Sequence, residues 1–200
     1  HTRFRNVTGV QTCALPIYPS LPARTVKELI ALAKAKPGAL NYGSAGNGSS
    51  QHLAGELFKK MAGVNMVHIP YKGGGAVAVD LIAGQVQLTF GSATSMPYVR
   101  AGRLAALAVT SSRRVASIAN LPTISEAGLP GYEAAAWYGL FAPARTPKAI
   151  TDKLYAESTR ILKLSDVREK LAFETIQPVG STPAEFRSEE HTSELQSRFG

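Results

Sequence analysis

Apolar residues recur along this chain in short blocks that predict helices alternating with strands. The first helix begins after Thr25, where Thr25 and Glu28 form a capping box, and it ends before Pro37. A second amphipathic helix is predicted over about residues 49–62, with Gly63 as its C-cap. Its predicted buried side contains Leu53, Leu57, Phe58 and Met61.

Strands are predicted between these helices. They lie at about residues 40–42, 66–69, 86–90 and 104–109, with further helices at about 76–83 and around Tyr98. Because strands and helices alternate, we expect right-handed crossovers and a parallel, doubly wound sheet of the α/β class. After Thr110 the pattern changes. It predicts an apolar strand at 132–142, helices at 150–164 and 165–171, and a loop at 177–183.

Three turns rich in glycine or serine follow predicted strands, at about residues 43–50, 71–75 and 91–95. The carboxyl ends of parallel strands meet at one edge of a sheet, so the three turns are expected to converge there. A helix start offers unbonded N–H groups and the positive end of the helix dipole, which together favour an anion. The spacing of Gly43 and Gly48 is that of a P-loop, but Ser49 and Ser50 replace its Lys-Ser/Thr pair, which argues against a nucleotide.

Composition narrows the classes of function. The 200 residues are 44% hydrophobic and 18% charged, with a formal net charge of +8. The basic residues are scattered and no nucleic-acid motif accompanies them, so no nucleic-acid partner is expected. A basic balance instead favours small acidic ligands. No apolar run approaches the length of a transmembrane helix.

The two ends show neither helical nor strand periodicity. Residues 1–18 and 187–200 resemble translated sequencing adapters, and we expect both to be foreign tails outside the fold. The predicted organisation between them is an α/β ligand-binding lobe over 19–128 and a partial return into another lobe over 129–186. Cys13 is the one cysteine and lies in the first tail, so the predicted fold contains no disulfide or thiolate.

Candidate catalytic groups are sparse. His52 and His68 could pair with Ser44 or Ser49, but no nucleophile elbow surrounds a serine and no aspartate is placed to orient a histidine. We therefore predict no catalytic residue, and no metal or cofactor, because metal-ligand spacings are missing. Tyr71 and Lys72 could both donate hydrogen bonds to a carboxylate.

Five motifs in collinear order resemble the tripartite tricarboxylate transporter receptor family, the Bug-type periplasmic solute-binding proteins. The resemblance extends from about Pro19 to Phe186. The motifs are Leu40–Phe58, His68–Gly73, Asp80–Gly84, Leu107–Thr110 and Pro122–Tyr132.

This resemblance implies a type II periplasmic-binding fold, with two α/β lobes that close on a small carboxylate. The implied ligand is a di- or tricarboxylate, an acidic amino acid or an aromatic acid, and the implied partners are membrane permease subunits. A periplasmic address is implied as well, with the signal peptide in an N-terminal part that family members have and this chain lacks. The implied ligand-binding residues are Tyr42, Ser44, Ala45, Gly46, Ser49, Tyr71, Lys72, Gly73, Phe90, Gly91 and Ser92.

The chain thus resembles one complete lobe and part of a second, and is expected to catalyse no reaction. High-affinity binding by the chain alone is not expected, because burial of a ligand needs both walls of a cleft. Two other functions stay open. One is the ligand-sensing domain of a transcription regulator, which would need a helix-turn-helix upstream. The other is a hydrolase that uses Ser44 or Ser49 with a histidine.

Overall fold

A computed structural model of the chain describes residues 2–91, 95–173, 175–182 and 184–185. The chain divides into two compact units. The binding unit, as we call it, is Thr12–Ala136, and the other, the terminal unit, consists of His1–Gln11 with Trp137–Gly200. The lobe limits predicted from the sequence and the foreign origin of the tails stay predictions.

Helices and strands alternate through most of the binding unit, and two further helices lie in the terminal unit. The helices of the binding unit are α1 (Val26–Ala35), α2 (Ser50–Ala62), α3 (Gly74–Ile82) and α4 (Met96–Arg100), with a 3₁₀ turn at Ala116–Ile118, and those of the terminal unit are α5 (Lys148–Ile161) and α6 (Ser165–Phe173). The strands are β1 (Thr2–Thr12), β2 (Ala14–Ile17), β3 (Asn41–Ser44), β4 (Val67–Pro70), β5 (Leu88–Thr89), β6 (Ala105–Val109), β7 (Ala135–Pro143) and β8 (Ile176–Pro178).

The sheet of the binding unit has the order β4-β3-β5-β2-β6. β3 runs parallel to both β4 and β5, whereas β2 is antiparallel to both β5 and β6. The α/β class is therefore confirmed, but the expectation of an all-parallel sheet is wrong. The difference arises from β2, which lies in the segment that the sequence analysis left outside the fold.

The expectation that residues 1–18 lie outside the fold is wrong, because this segment contains the strands β1 and β2. All four residues of β2 are buried, and Leu15 and Ile17 are completely covered. A strand buried on both faces has no alternation of apolar and polar residues, so the periodicity used to find strands is missing. Pro16 lies where the register with β6 shifts, a position that tolerates a missing N–H.

Helix ends follow the predicted capping chemistry. The Thr25 side chain accepts from the N–H of Glu28, and the Ser49 side chain accepts from the N–H of His52. Gly63 ends α2 in the left-handed conformation at φ 62°. The Thr25 cap and the Gly63 C-cap are confirmed, because local geometry determines them. The Glu28 half of the predicted capping box differs, since its carboxylate accepts from the N–H of Arg24 rather than that of Thr25.

The predicted buried face of α2 is confirmed at Phe58 and in part at Leu57, which packs half-buried against the core, and is wrong at Leu53 and Met61. Leu53 is 61% exposed, and the residues that α2 buries are Gln51, Ala54, Gly55, Phe58 and Ala62. The helix presents small residues to the sheet because the Tyr42 ring occupies the space between them. A Cβ on Gly55 would overlap that ring. Volume complementarity, rather than hydrophobicity, orients this helix.

Two groups of side chains cover the faces of this sheet. The larger core contains residues of α1 and α2 with Leu15, Leu88, Phe90 and Tyr132, and the smaller contains Leu81, Val86 and Leu104. In the terminal unit, β7, β1 and β8 form a sheet in that order. Gln177 and Pro178 of β8 lie in the segment for which a loop was predicted. Among the described residues, no helix has the length and apolar character needed to cross a bilayer.

Candidate functional site

The turn from Ala45 to Ser49 connects β3 to α2 and is held by acceptors of the chain itself. The N–H of Ala45 donates to Gln51 Oε1 at 2.9 Å, and the N–H of Gly48 donates to His52 Nδ1 at 3.0 Å. Gly46 and Gly48 have φ of 131° and 75°, a region that side chains disfavour. Contacts within the chain therefore define the conformation of this turn.

The first two residues of α2 have backbone donors that the turn does not use. The N–H groups of Ser50 and Gln51 have no acceptor within the described part of the chain. They lie at the positive end of a 13-residue helix, where an anion is stabilised. The prediction that this helix start could receive an anion is compatible with these free donors.

Tyr42 and Ser44 were predicted as ligand-binding residues, and both side chains are completely buried. The Tyr42 hydroxyl donates to Glu56 Oε1 at 2.6 Å, and burial together with Glu56 raises the pKa of Tyr42. Ser44 Oγ accepts from the N–H of Gly46 at 3.2 Å and lies 2.6 Å from His68 Nε2. In this conformation the two side chains support the turn from below rather than face solvent.

The second turn contains Tyr71, Lys72 and Gly73. The N–H of Tyr71 donates to the carbonyl of Ser44 at 2.9 Å, which joins the second turn to the first. The Tyr71 hydroxyl donates to Asp80 Oδ2 at 2.8 Å, and burial and Asp80 raise the pKa of Tyr71 to about 12. Lys72 is exposed and has no bonding partner among the described residues. It is therefore a cation available to a ligand.

Gly73 caps α3 at φ 122° without a side-chain hydrogen bond. Any side chain would be strained at this φ, whereas glycine is not. Within the described residues no side chain caps α3, and the N–H groups of Gly74 and Gly75 have no acceptor, whereas Ser49 caps α2 but leaves the N–H groups of Ser50 and Gln51 free. Two helix starts with free donors therefore follow neighbouring parallel strands.

The third turn contains Phe90, Gly91 and Ser92, of which Ser92 lies outside the described residues. The Phe90 ring packs into the core, 5.5 Å from that of Phe58. The carbonyl of Gly91 accepts from the N–H of Ala14 at 2.9 Å. Phe90 was predicted to bind a ligand, but with its ring in the core only its backbone can lie at this edge of the sheet.

The three turns follow β3, β4 and β5, which are parallel, so all of them lie at the same edge of the sheet. The structure thus confirms the predicted convergence of the described parts of the turns. The predicted ligand contacts stay predictions.

A cavity of about 230 Å³ extends along α2 from the first turn. It is lined by Cys13, Ser50, Leu53, Ala54, Leu57, Ala134, Ala135 and Ala136. Most of this lining is apolar, and burial raises the pKa of the Cys13 thiol to about 11. The sequence analysis missed this lining, because it placed Leu53 and Leu57 in the core and residues 129–186 in another lobe.

A serine–histidine contact exists, but its surroundings do not suit nucleophilic catalysis. Ser44 has no exposed surface, and the ring of His68 stacks between those of His52 and Tyr42 at 4.0 and 4.9 Å. No carboxylate orients His68 by a hydrogen bond among the described residues. The described residues also contain no group of three or more side chains that could hold a metal ion.

Comparison with known proteins gives one family. The profile described as "Tripartite tricarboxylate transporter family receptor" matches residues 5–188. A protein from the tcbD-tcbE intergenic region of Pseudomonas sp. strain P51 is 38% identical over 183 residues, which are 88% of this chain and 54% of that protein. Protein BugT of Bordetella pertussis is 34% identical over 91% of this chain and 56% of its own length. The chain therefore spans about half the length of these relatives.

Solved structures agree with this family. Rpa4515 of R. palustris, solved with adipate, has a TM-score of 0.88 at 35% identity. The match covers 98% of this chain and 67% of Rpa4515. The periplasmic binding protein BugD has a TM-score of 0.88 at 27% identity, over 98% of this chain and 66% of its own. MatC of Rhodopseudomonas palustris, solved with malate, has a TM-score of 0.82 at 28% identity, over 96% and 68%.

Proposed function

Because this chain belongs to the tripartite tricarboxylate transporter receptor family, we propose that it forms one wall of a site that captures a small organic carboxylate. The family resemblance found in the sequence is confirmed, and so is the α/β fold of the type II periplasmic-binding kind. Membership in a family of receptors also supports the prediction that the chain is a binding protein and catalyses no reaction.

The observation that carries this proposal is the pair of free N–H groups on Ser50 and Gln51 beside the apolar cavity along α2. A carboxylate at these donors would form charge-assisted hydrogen bonds, and the hydrocarbon part of the same molecule would cover Leu53 and Leu57. Lys72 would add a positive charge from the second turn. An anionic head joined to an apolar body is the chemistry of a small organic acid.

Within the predicted ligand classes, we favour dicarboxylates. Two solved neighbours were determined with adipate and with malate, and both ligands are dicarboxylates. The second free helix start, at α3, would suit a further acidic or hydroxyl group of such a ligand. We further propose a periplasmic location and delivery of the ligand to membrane permease subunits, as the family description suggests.

A titration of the ¹⁵N-labelled chain with adipate and with malate, followed by the amide resonances, tests the site. We expect saturable shifts at the N–H groups of Ser50 and Gln51 and at the start of α3, because these donors would bind the carboxylates. Gly46→Val should weaken adipate binding by about tenfold or more, since it strains the turn and misaligns hydrogen bonds to a charged group. Ser44→Ala removes the acceptor of the Gly46 N–H and should have a smaller effect.

The matched control is Gly102→Val. Gly102 also has a positive φ, 69°, and no atom lies within 4 Å of where its Cβ would be. It should therefore show a similar cost in folding stability and unchanged adipate binding. If neither dicarboxylate shifts any amide of the three turns, the proposed site is wrong.

A further inference from the structure

The imidazoles of His52 and His68 stack on each other next to the first turn. Their ring centroids are 4.0 Å apart and the planes are inclined by 14°. His52 belongs to α2 and His68 to β4, so the contact joins a helix to the edge strand of the sheet. Nothing in the proposed carboxylate site requires two histidines at this place.

Each histidine is also bonded to the turn itself. His52 Nδ1 accepts the N–H of Gly48 at 3.0 Å, and His68 Nε2 lies 2.6 Å from Ser44 Oγ. Ser44 Oγ in turn accepts the N–H of Gly46. The stacked pair thus holds the turn at two points, directly at Gly48 and through Ser44 at Gly46.

The hydrogen bond at Gly48 depends on protonation. An N–H can donate to His52 Nδ1 only while that nitrogen carries no proton, so the observed turn requires a neutral His52. With a proton on His52 Nδ1, the ring N–H and the Gly48 N–H would point at each other and repel, so this hydrogen bond would be lost. At His68 the contact is different, because the Ser44 hydroxyl also donates to Gly46 O at 3.1 Å. Ser44 can therefore accept from a protonated His68 Nε2 and stay bonded to the turn, so the link that protonation breaks is the one at Gly48.

The groups around the stacked pair come from α2 and β3. Glu56 and Lys59 of α2 form an ion pair at 2.7 Å, and the Tyr42 hydroxyl of β3 donates to the same Glu56 oxygen. Burial and the neighbouring His52 lower the pKa of His68, an effect that Glu56 opposes and Lys59 assists. Tyr71 and Asp80 face the opposite side of the sheet, where a Cβ on Gly43 would meet Tyr71 and Val77. These surroundings favour a neutral His68.

We propose that His52 and His68 are positioning residues of the carboxylate site, which hold the first turn in its binding conformation, and that a proton on His52 Nδ1 releases the turn at Gly48. This inference rests on the proposed function, because the turn is the one that presents the free donors of α2. Carboxylate binding is then strongest at neutral pH and weakens on acidification, although a protonated histidine alone would attract the anion.

The variants His52→Asn and His68→Gln test this proposal. Asn Oδ1 can occupy the place of His Nδ1, and the Gln amide can occupy that of His Nε2, but neither side chain titrates. Amide spectra of the full chain, recorded without ligand across the histidine range of pH, should show the Gly48 resonance moving together with the His52 ring. In His52→Asn the Gly48 resonance should not follow pH.

Adipate titrations of the same samples give the second readout. We expect the dissociation constant of the unmodified chain to rise by about three- to tenfold on acidification, the effect of losing about one hydrogen bond. In the His52→Asn/His68→Gln double variant the ratio of the dissociation constants at acidic and neutral pH should fall to about one, because neither new side chain titrates. His52→Ala, which removes the acceptor, should bind weakly at every pH.

The two proposals fail in different ways. If adipate does not bind at any pH but Gly48 follows the His52 titration, the carboxylate site is wrong and the histidine contact is real. The positioning role is overturned if the dissociation constant of adipate does not change with pH. It is also overturned if the Gly48 amide resonance does not change when His52 is protonated. An unchanged pH dependence in the double variant would overturn it as well.

Discussion

The binding unit and the terminal unit differ in where their apolar side chains lie. In the binding unit Phe58, Phe90 and Tyr132 are at most 1% exposed and form a cluster of aromatic rings. In the terminal unit, none of the described side chains of α5 and α6 is buried. Ile150 is 51% exposed and Ile161 is 43% exposed. Both regions have amphipathic helices. The comparison teaches that an apolar stripe shows which face a helix can bury, whereas burial itself needs a second surface.

The largest effect should come from emptying the aromatic cluster of the binding unit. Phe58→Ala should lower the free energy of unfolding by about 3–5 kcal/mol, because it removes a buried ring and leaves a cavity. Ile150→Ala in α5 is the control and should change it by less than about 0.5 kcal/mol. Urea unfolding curves measure both. A loss in Ile150→Ala as large as that in Phe58→Ala would remove the distinction between the units.

A smaller effect should come from adding one methyl group between α2 and the sheet. Gly55→Ala should destabilise the chain by about 1–3 kcal/mol, since the new Cβ overlaps the Tyr42 ring and the core cannot shift freely. Gly75→Ala in α3 is the matched control, as no atom lies within 4 Å of its Cβ. There the same change should be neutral or stabilise by up to about 1 kcal/mol. Equal thermal shifts for both variants would show that α2 does not depend on close contact with Tyr42.

The smallest predicted effect is the pH dependence of stability within the binding unit. The pKa of His68 lies below 6.5 in the folded chain, so the unfolded chain binds the proton more readily. The free energy of unfolding is then greatest above pH 6.5 and decreases as the pH falls below that value. Burial raises the pKa of Glu56, but hydrogen bonds from Lys59 and Tyr42 bring it below 4.5, so its contribution is lost only at lower pH.

Urea midpoints measured at about pH 7.5 and about pH 5.5 would isolate the histidine contribution, because Glu56 stays ionised at both. His68→Gln should reduce the difference between the two midpoints. A midpoint that rises on acidification would mean that the proton stabilises the folded chain, contrary to the direction expected from burial.

Local signals in the sequence predicted much of this molecule. Thr25, Ser49 and Gly63 mark the helix ends where the structure has them, and the three turns follow strands that are parallel. Capping and turn formation involve residues within a few positions of one another, so their chemistry can be read without the fold. The five motifs of the family were recognisable for the same reason.

The errors concern contacts between distant parts of the chain. β2 was missed because a strand buried on both faces has no alternating pattern, and its insertion between β5 and β6 makes the sheet mixed. The face of α2 was misjudged because hydrophobicity favours Leu53, whereas the Tyr42 ring leaves space only for small residues. Neither the sheet order nor that space is encoded in any short window of sequence.

The sequence by itself therefore determined the α/β alternation, the helix ends, the glycine turns and the family. Only the tertiary structure decided which donors of those turns are free. It buried Tyr42 and Ser44, which had been expected to meet a ligand, and brought His52 and His68 together from two elements. The physical reason is that a backbone donor is free or satisfied according to which acceptors the fold places within hydrogen-bond distance.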